Sequence, residues 1–124
     1  MAANVLDFRV SVMDRFQYKK VGGITALSAH MTDFKYKKHS HQEYALGVTL
    51  QGTQQFNLDG EEQTSYQGGI MLLNPEQSHD GMARDRSGID YVMLYIEPHI
   101  FLDVLGRKSK FYFTDPVVYR ESLQ

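Results

Sequence analysis

A chain of 124 residues with 42% hydrophobic residues has the length of one domain and buries about 65% of its unfolded surface, so a true core is expected. The absence of cysteine excludes a disulfide framework and any thiolate metal site, and it accords with a reducing, cytoplasmic setting. Thirteen Lys and Arg against fifteen Asp and Glu leave a net charge of −2, which argues against a chain that holds nucleic acid unaided.

The amino terminus, MAANVLDFRVSVMDRF, carries charges among its apolar positions, so it is not a signal-peptide core, and no apolar run reaches membrane-spanning length. Residues 5 to 18 read as short strand pieces, with Phe8, Val10 and Val12 alternating with polar neighbours, before Gly22-Gly23 breaks the pattern. Ile24 to Met31 is strand-like. In FKYKK, Phe34 and Tyr36 alternate with lysines; Lys35, Lys37 and Lys38 read as a solvated face rather than a phosphate site.

Tyr44 to Leu50 forms the strongest strand, ended by Gly52. Gln55 to Leu58 runs into Asp59-Gly60, a pair that favours a type I′ hairpin turn, and Glu62 to Tyr66 is the return strand. Gly68-Gly69 marks a corner, Ile70 to Leu73 a buried strand, and Asn74-Pro75 its stop. A loop containing His79 and Gly81 follows, and then IDYVMLYI, a long strand apolar on both faces, which predicts interior contact on one side and a covering helix on the other.

The period then becomes helical. Pro98 opens a helix whose stripe is Ile100, Phe101, Val104 and Leu105, with Gly106 as its stop. Asp115-Pro116 signals a second helix that VVYRESLQ leaves unfinished, so the chain reads as truncated. The fold class expected is all-β, a barrel or jelly roll with appended carboxyl-terminal helices.

The chemistry concentrates between His39 and Gly81. His39 and His41 stand two apart, so in a strand their side chains share a face; His79 arrives in the partner segment, and the three imidazoles converge if the sheet closes. Strict alternation groups His39, His41, Glu43, Ala45, Gly47 and Thr49, leaving room beneath the histidines at Ala45 and Gly47. A bulge near Glu43 would bring Tyr44 to the histidines instead. The plainer account has the histidines hydrogen-bonding within loops. His30 and His99 read as structural or exposed. No P-loop, GxGxxG, HExxH or Ser-His-Asp order is present.

The spacing H-x-H, a Gly after the strand, and then G-x5-P-x3-H from Gly69 through Pro75 to His79 resembles the paired motifs of the cupin superfamily. HQEYALGVTLQG followed by G-x-x-x-L-x-N-P-x-x-x-H, from Gly68 to His79, is similar to the sensor domain of AraC-type transcription regulators. That resemblance follows the order of elements from about residue 8 to residue 120. It implies a double-stranded β-helix barrel over residues 13–97 that binds a small effector (a sugar, amino acid or aromatic acid), a movable arm at residues 1–12, and helical segments at 98–124 carrying contacts of a homodimer. DNA would be read by helix-turn-helix units beyond residue 124. Its implied ligand-binding residues are His39, His41, Glu43, Tyr44 and His79.

Metal-dependent cupins carry a carboxylate four residues after the second histidine, and here that position is Ala45. Glu43 could substitute, Gln77 stands where many of them have Gly, and His79 comes one residue early. No cofactor is therefore expected; were a metal bound, His39, His41 and His79 would hold it. The reading is a non-enzymatic sensor. Its alternatives are a small metal-dependent cupin enzyme, such as a dioxygenase or isomerase, and a binding module without a DNA partner.

Overall fold

A computed structural model describes residues 14–123, so the arm expected at 1–12 lies outside the described residues. Strand alternation governs what is seen. In β2 (Ile24–Met31) the buried positions are Thr25, Leu27, Ala29 and Met31, and in β9 (Ile89–Ile96) they are Ile89, Tyr91, Met93 and Tyr95. These period-two rows fix each strand's register, because a slip of one residue would expose the whole row.

Among the described residues the remaining strands are β1 (Arg15–Val21), β3 (Lys35–His39), β4 (Tyr44–Gln51), β5 (Gln54–Leu58), β6 (Glu61–Ser65), β7 (Ile70–Leu73), β8 (His79–Ala83) and β10 (Val117–Val118). One sheet has the order β1-β2-β9-β4-β7-β10 and the other β3-β8-β5-β6. They face each other across one core that includes Leu27, Phe34, Phe56, Met71, Ile89 and Tyr91. The hairpin at Asp59-Gly60 forms as expected, with φ of 50° and 87°, the positive pair that a type I′ turn demands.

The helical expectation holds in part. Helix α1 (Pro98–Val104) forms with Pro98 in its first turn and buries Phe101. The second helix does not form. Val117 and Val118 instead pair antiparallel with Met71 and Ile70, and only a 3-10 turn, Arg120–Leu123, follows. Two adjacent β-branched residues suit an edge strand better than a first helical turn. Nor, among the described residues, does a helix cover the outer face of β9, where Val92 is 36% and Leu94 44% exposed.

The expected space under the histidines is also largely filled. Gly47 faces Met93 so closely that an added Cβ would lie 2.2 Å from its Sδ. Gly is required there because the methionine occupies the volume. Finally, His79 is not in a loop: it opens β8, which pairs with both β3 and β5.

Candidate functional site

His39 ends β3 and lies directly opposite His79, the first residue of β8, in the smaller sheet. His41 is not in that strand. It sits in the crossover that carries the chain from β3 to β4, and so from one sheet to the other. The three rings meet all the same, with centroid separations of 4.5 Å for His39–His79, 4.7 Å for His39–His41 and 5.2 Å for His41–His79. One ring nitrogen from each lies within 4.8 Å of the others. His41 and His79 are each 9% exposed, and the ring of His41 also packs on Tyr95 at 5.0 Å.

The local sequence explains this placement. Between Tyr36 and His39 the pairing with β8 shifts register, so a bulge turns both side chains toward the interior. The turn after Asn74-Pro75 is tied to the other histidine segment, because the Glu76 amide donates to the carbonyl of His41. His39 Nδ1 donates to the carbonyl of Lys37, and His79 Nδ1 to that of Gln77 at 3.1 Å. A backbone acceptor on Nδ1 fixes the tautomer and leaves Nε2 with its lone pair.

Beneath the rings lies a hollow of about 30 Å³, lined in part by Tyr36, His39, Gln54, His79, Tyr91 and Tyr95. Two buried polar atoms here have no protein partner among the described residues: Nε2 of His41 and Oε1 of Gln54. The phenols behind them are linked by a bond from Tyr91 to Tyr36 at 3.0 Å. Desolvation raises the pKa of Tyr36, Tyr91 and Tyr95, so these groups are neutral. Desolvation first, then the neighbouring His79 and His39, pushes His41 down to about 3. His79 is pushed down to about 4 by desolvation, opposed by its bond to the Gln77 carbonyl. At neutral pH both therefore offer neutral imidazoles.

Two of the residues read as ligand contacts lie elsewhere. Tyr44 belongs to the outer face of β4, where its ring stacks on Phe101 at 4.5 Å and its hydroxyl donates to the Phe111 carbonyl at 2.6 Å. The bulge falls before His39 rather than near Glu43, so Tyr36, not Tyr44, shares the hollow with the histidines. Half-buried Glu43 does not join the imidazole group. His30 pairs with Asp90 at 2.7 Å, and His99 is exposed beside Glu97. Gln54 and the three interior tyrosines escaped the motif-based reading. Alternation could have found them: Gln54 shares a strand face with Phe56 and Leu58, and Tyr91 and Tyr95 share theirs with Ile89 and Met93.

Residues 21–124 match the family described as the AraC-like ligand binding domain. The chain belongs to that family. No curated protein matches it. Among solved structures it is similar to an RmlC-like cupin with a double-stranded β-helix fold from Methanocaldococcus jannaschii, at 13% identity and a TM-score of 0.64, covering 80% of this chain and 94% of that one. A conserved protein of unknown function from Streptococcus pyogenes matches at 12% identity and a TM-score of 0.64, over 72% of this chain and 79% of that one. Oxalate decarboxylase from Bacillus subtilis matches at 9% identity and a TM-score of 0.62; 87% of this chain covers 37% of it. At these identities the likeness is one of fold, and the fold of this AraC-like domain is that of the cupins.

Proposed function

We propose that this domain senses a small-molecule effector for an AraC-type transcription regulator, in the cytoplasm, and that it dimerises, with DNA read by helix-turn-helix units in another part of the protein. The observation that carries this reading is the hollow of a ligand-binding-family barrel, where three imidazoles converge and where, among the described residues, the Nε2 of one of them, His41, and the Oε1 of Gln54 are buried without partners. An unsatisfied buried polar group costs about 1–3 kcal/mol, which a ligand that meets it returns on binding. An effector then acts by favouring one arrangement of subunits; about 1.4 kcal/mol of preference shifts the balance tenfold. In this reading α1 carries dimer contacts. Val104, 80% exposed, and Leu105, 44% exposed, supply apolar surface for them.

The alternative is a small metal-dependent cupin enzyme, and the imidazole cluster favours it. Against it stand Ala45, in place of the carboxylate such enzymes carry, and Glu43, outside the cluster.

The test titrates this chain with sugars, amino acids, aromatic acids and divalent metal ions, following melting temperature and sedimentation together. One member of the panel is expected to raise the melting temperature and change the association state. A chain that remains monomeric, with an unchanged melting temperature across the whole panel, would overturn the sensor reading.

A further inference from the structure

The outer face of the larger sheet carries a hollow of its own. Alternation turns Leu27, Ala29 and Met31 of β2 inward, so Ala26, Ser28 and His30 face out. Register then sets their neighbours across the sheet. Ser28 lies in one row with Gln17 of β1, Val92 of β9, Val48 of β4 and Ile70 of β7; Ala26 lies between Lys19 and Leu94, and His30 between Arg15 and Asp90. The small side chains of Ala26 and Ser28 are flanked by longer ones on β1 and β9, and β2 therefore forms the floor of a trench. It measures about 890 Å³, within the range of about 300–1,000 Å³ that takes organic ligands, whereas the hollow under the histidines holds about 30 Å³. At its Arg15 end it adjoins a further recess of about 180 Å³, which shares Gln17 and Ser28 with it. Polarity changes along the trench. Arg15, Gln17 and Lys19 are exposed at the β1 end, and among the described residues neither cation has a carboxylate partner. The carboxylate that lines the recess, Asp90, is held by His30 at 2.7 Å. From β9 onward the trench is aliphatic, through Val92 and Leu94 to Val48 and Ile70.

We propose that this trench is a second ligand site and that its ligand is an amphipathic carboxylate, with the acid group over Gln17 and Ser28 between Arg15 and Lys19, and an acyl chain lying across β9 and β4 toward Ile70. Charge decides the head. Arg15 supplies a planar fork that grips a carboxylate through two hydrogen bonds, Lys19 adds a second positive charge, and Gln17 and Ser28 offer neutral donors. Geometry decides the tail: three strand spacings separate β2 from β7, which gives an apolar track of roughly 14 Å. Its walls are branched aliphatic side chains, suited to a hydrocarbon chain. A second copy packed on this face would instead bury Arg15 and Lys19, and a buried charge without a partner is strongly unfavourable. The site lies on the other side of the larger sheet from the three histidines and uses none of them.

The experiment adds decanoate, below its micelle concentration, to the whole chain and reads titration calorimetry, backbone amide resonances and sedimentation. One decanoate per chain is expected, with movement of the amides of Gln17, Ser28, Val92 and Leu94, and with decanol and hexanoate each bound several-fold more weakly. Arg15→Gln and Lys19→Gln should each weaken binding several-fold, and Ser28→Leu, which fills the trench floor, by about tenfold or more. Lys35→Gln, the same loss of charge on the exposed side of β3, leaves it unchanged; circular dichroism of the ligand-free variants checks their fold. Decanol that binds as tightly as decanoate overturns the proposal, as does uptake of several molecules per chain that no variant alters, the mark of a surfactant coating. Amide movement centred on Tyr36, His39 and His79 would place the ligand in the inner hollow, so that the second site falls while the sensor reading stands. If decanoate does not bind, the second site falls whether the chain is monomeric or a second copy covers the face, and the sensor reading is left to its own panel.

Discussion

Burial sets the charge state of His41 and His79. Their pKa values, pushed to about 3 and about 4, lie below the unfolded value of about 6.5. Between those limits the unfolded chain binds protons that the folded chain refuses. The stability these two groups confer is therefore complete above about pH 6.5 and drains away as the pH falls toward 4 and then 3. The groups facing them are His39 for both, with Asp59 and Asp80 near His79 opposing its shift. The metal-free melting temperature should fall between pH 7 and pH 4.5, and His41→Gln should flatten that slope. Because carboxylates also titrate at the lower end, the quantity to read is the difference between the two proteins at each pH; parallel curves would show that the imidazole takes up its proton as readily in the fold as in the unfolded chain. Gln54 makes the complementary case. Its Oε1 is buried without a partner among the described residues, so Gln54→Leu should stabilise the metal-free chain by about 1 kcal/mol, removing an unsatisfied acceptor at similar volume. Urea denaturation measures it, and a loss of stability would reveal a partner for that oxygen.

At the scale of elements, the histidine strands were half legible. Apolar runs of strand length identified β2, β4 and β9, and Asp59-Gly60 identified the β5–β6 hairpin, because in each the local signal and the tertiary pairing agree. β8 has no such signal: HDGMA lacks any β-branched or aromatic residue, and it becomes a strand through its neighbours β3 and β5. The bulge between Tyr36 and His39 was equally silent, since register shifts arise from pairing across the sheet. That is why Tyr44 was assigned the place Tyr36 occupies. Near the carboxyl end, Pro116 imitates a helix start, but the chain from Phe111 onward is held by contacts with distant residues. The side-chain amide of Asn74 donates to the Phe113 carbonyl at 2.9 Å and accepts from the Phe113 amide at 2.7 Å. Tyr44, Phe101 and Phe113 close an aromatic cluster beneath it. Asn74→Ala removes both bonds and should cost about 1–3 kcal/mol in urea denaturation, with faster proteolysis after Lys108 and Lys110. An unchanged midpoint would mean that the aromatic cluster alone holds the segment.

The whole molecule is two sheets packed on one core, and the three histidines stand where the chain crosses between them. His39 and His79 belong to the four-stranded sheet; His41 lies at the entrance to β4, in the middle of the six-stranded one. A ligand held by all three is therefore a link between sheets and not a decoration of one loop. Binding to the native state alone stabilises it by mass action, by about 2.7 kcal/mol when the free ligand is a hundredfold above its dissociation constant. The geometry adds where that stabilisation should appear. If the link spans both sheets, saturating Zn²⁺ should raise the global urea midpoint, with tyrosine fluorescence and far-ultraviolet circular dichroism still coincident. Amide exchange should slow in β3 and β8 and also in β4 and its partner β9. Protection confined to β3 and β8 would mean that His41 takes no part and that the ion rests on the smaller sheet alone. In that case Zn²⁺ could not couple the hollow to the larger sheet, whose strand β9 leads directly into α1.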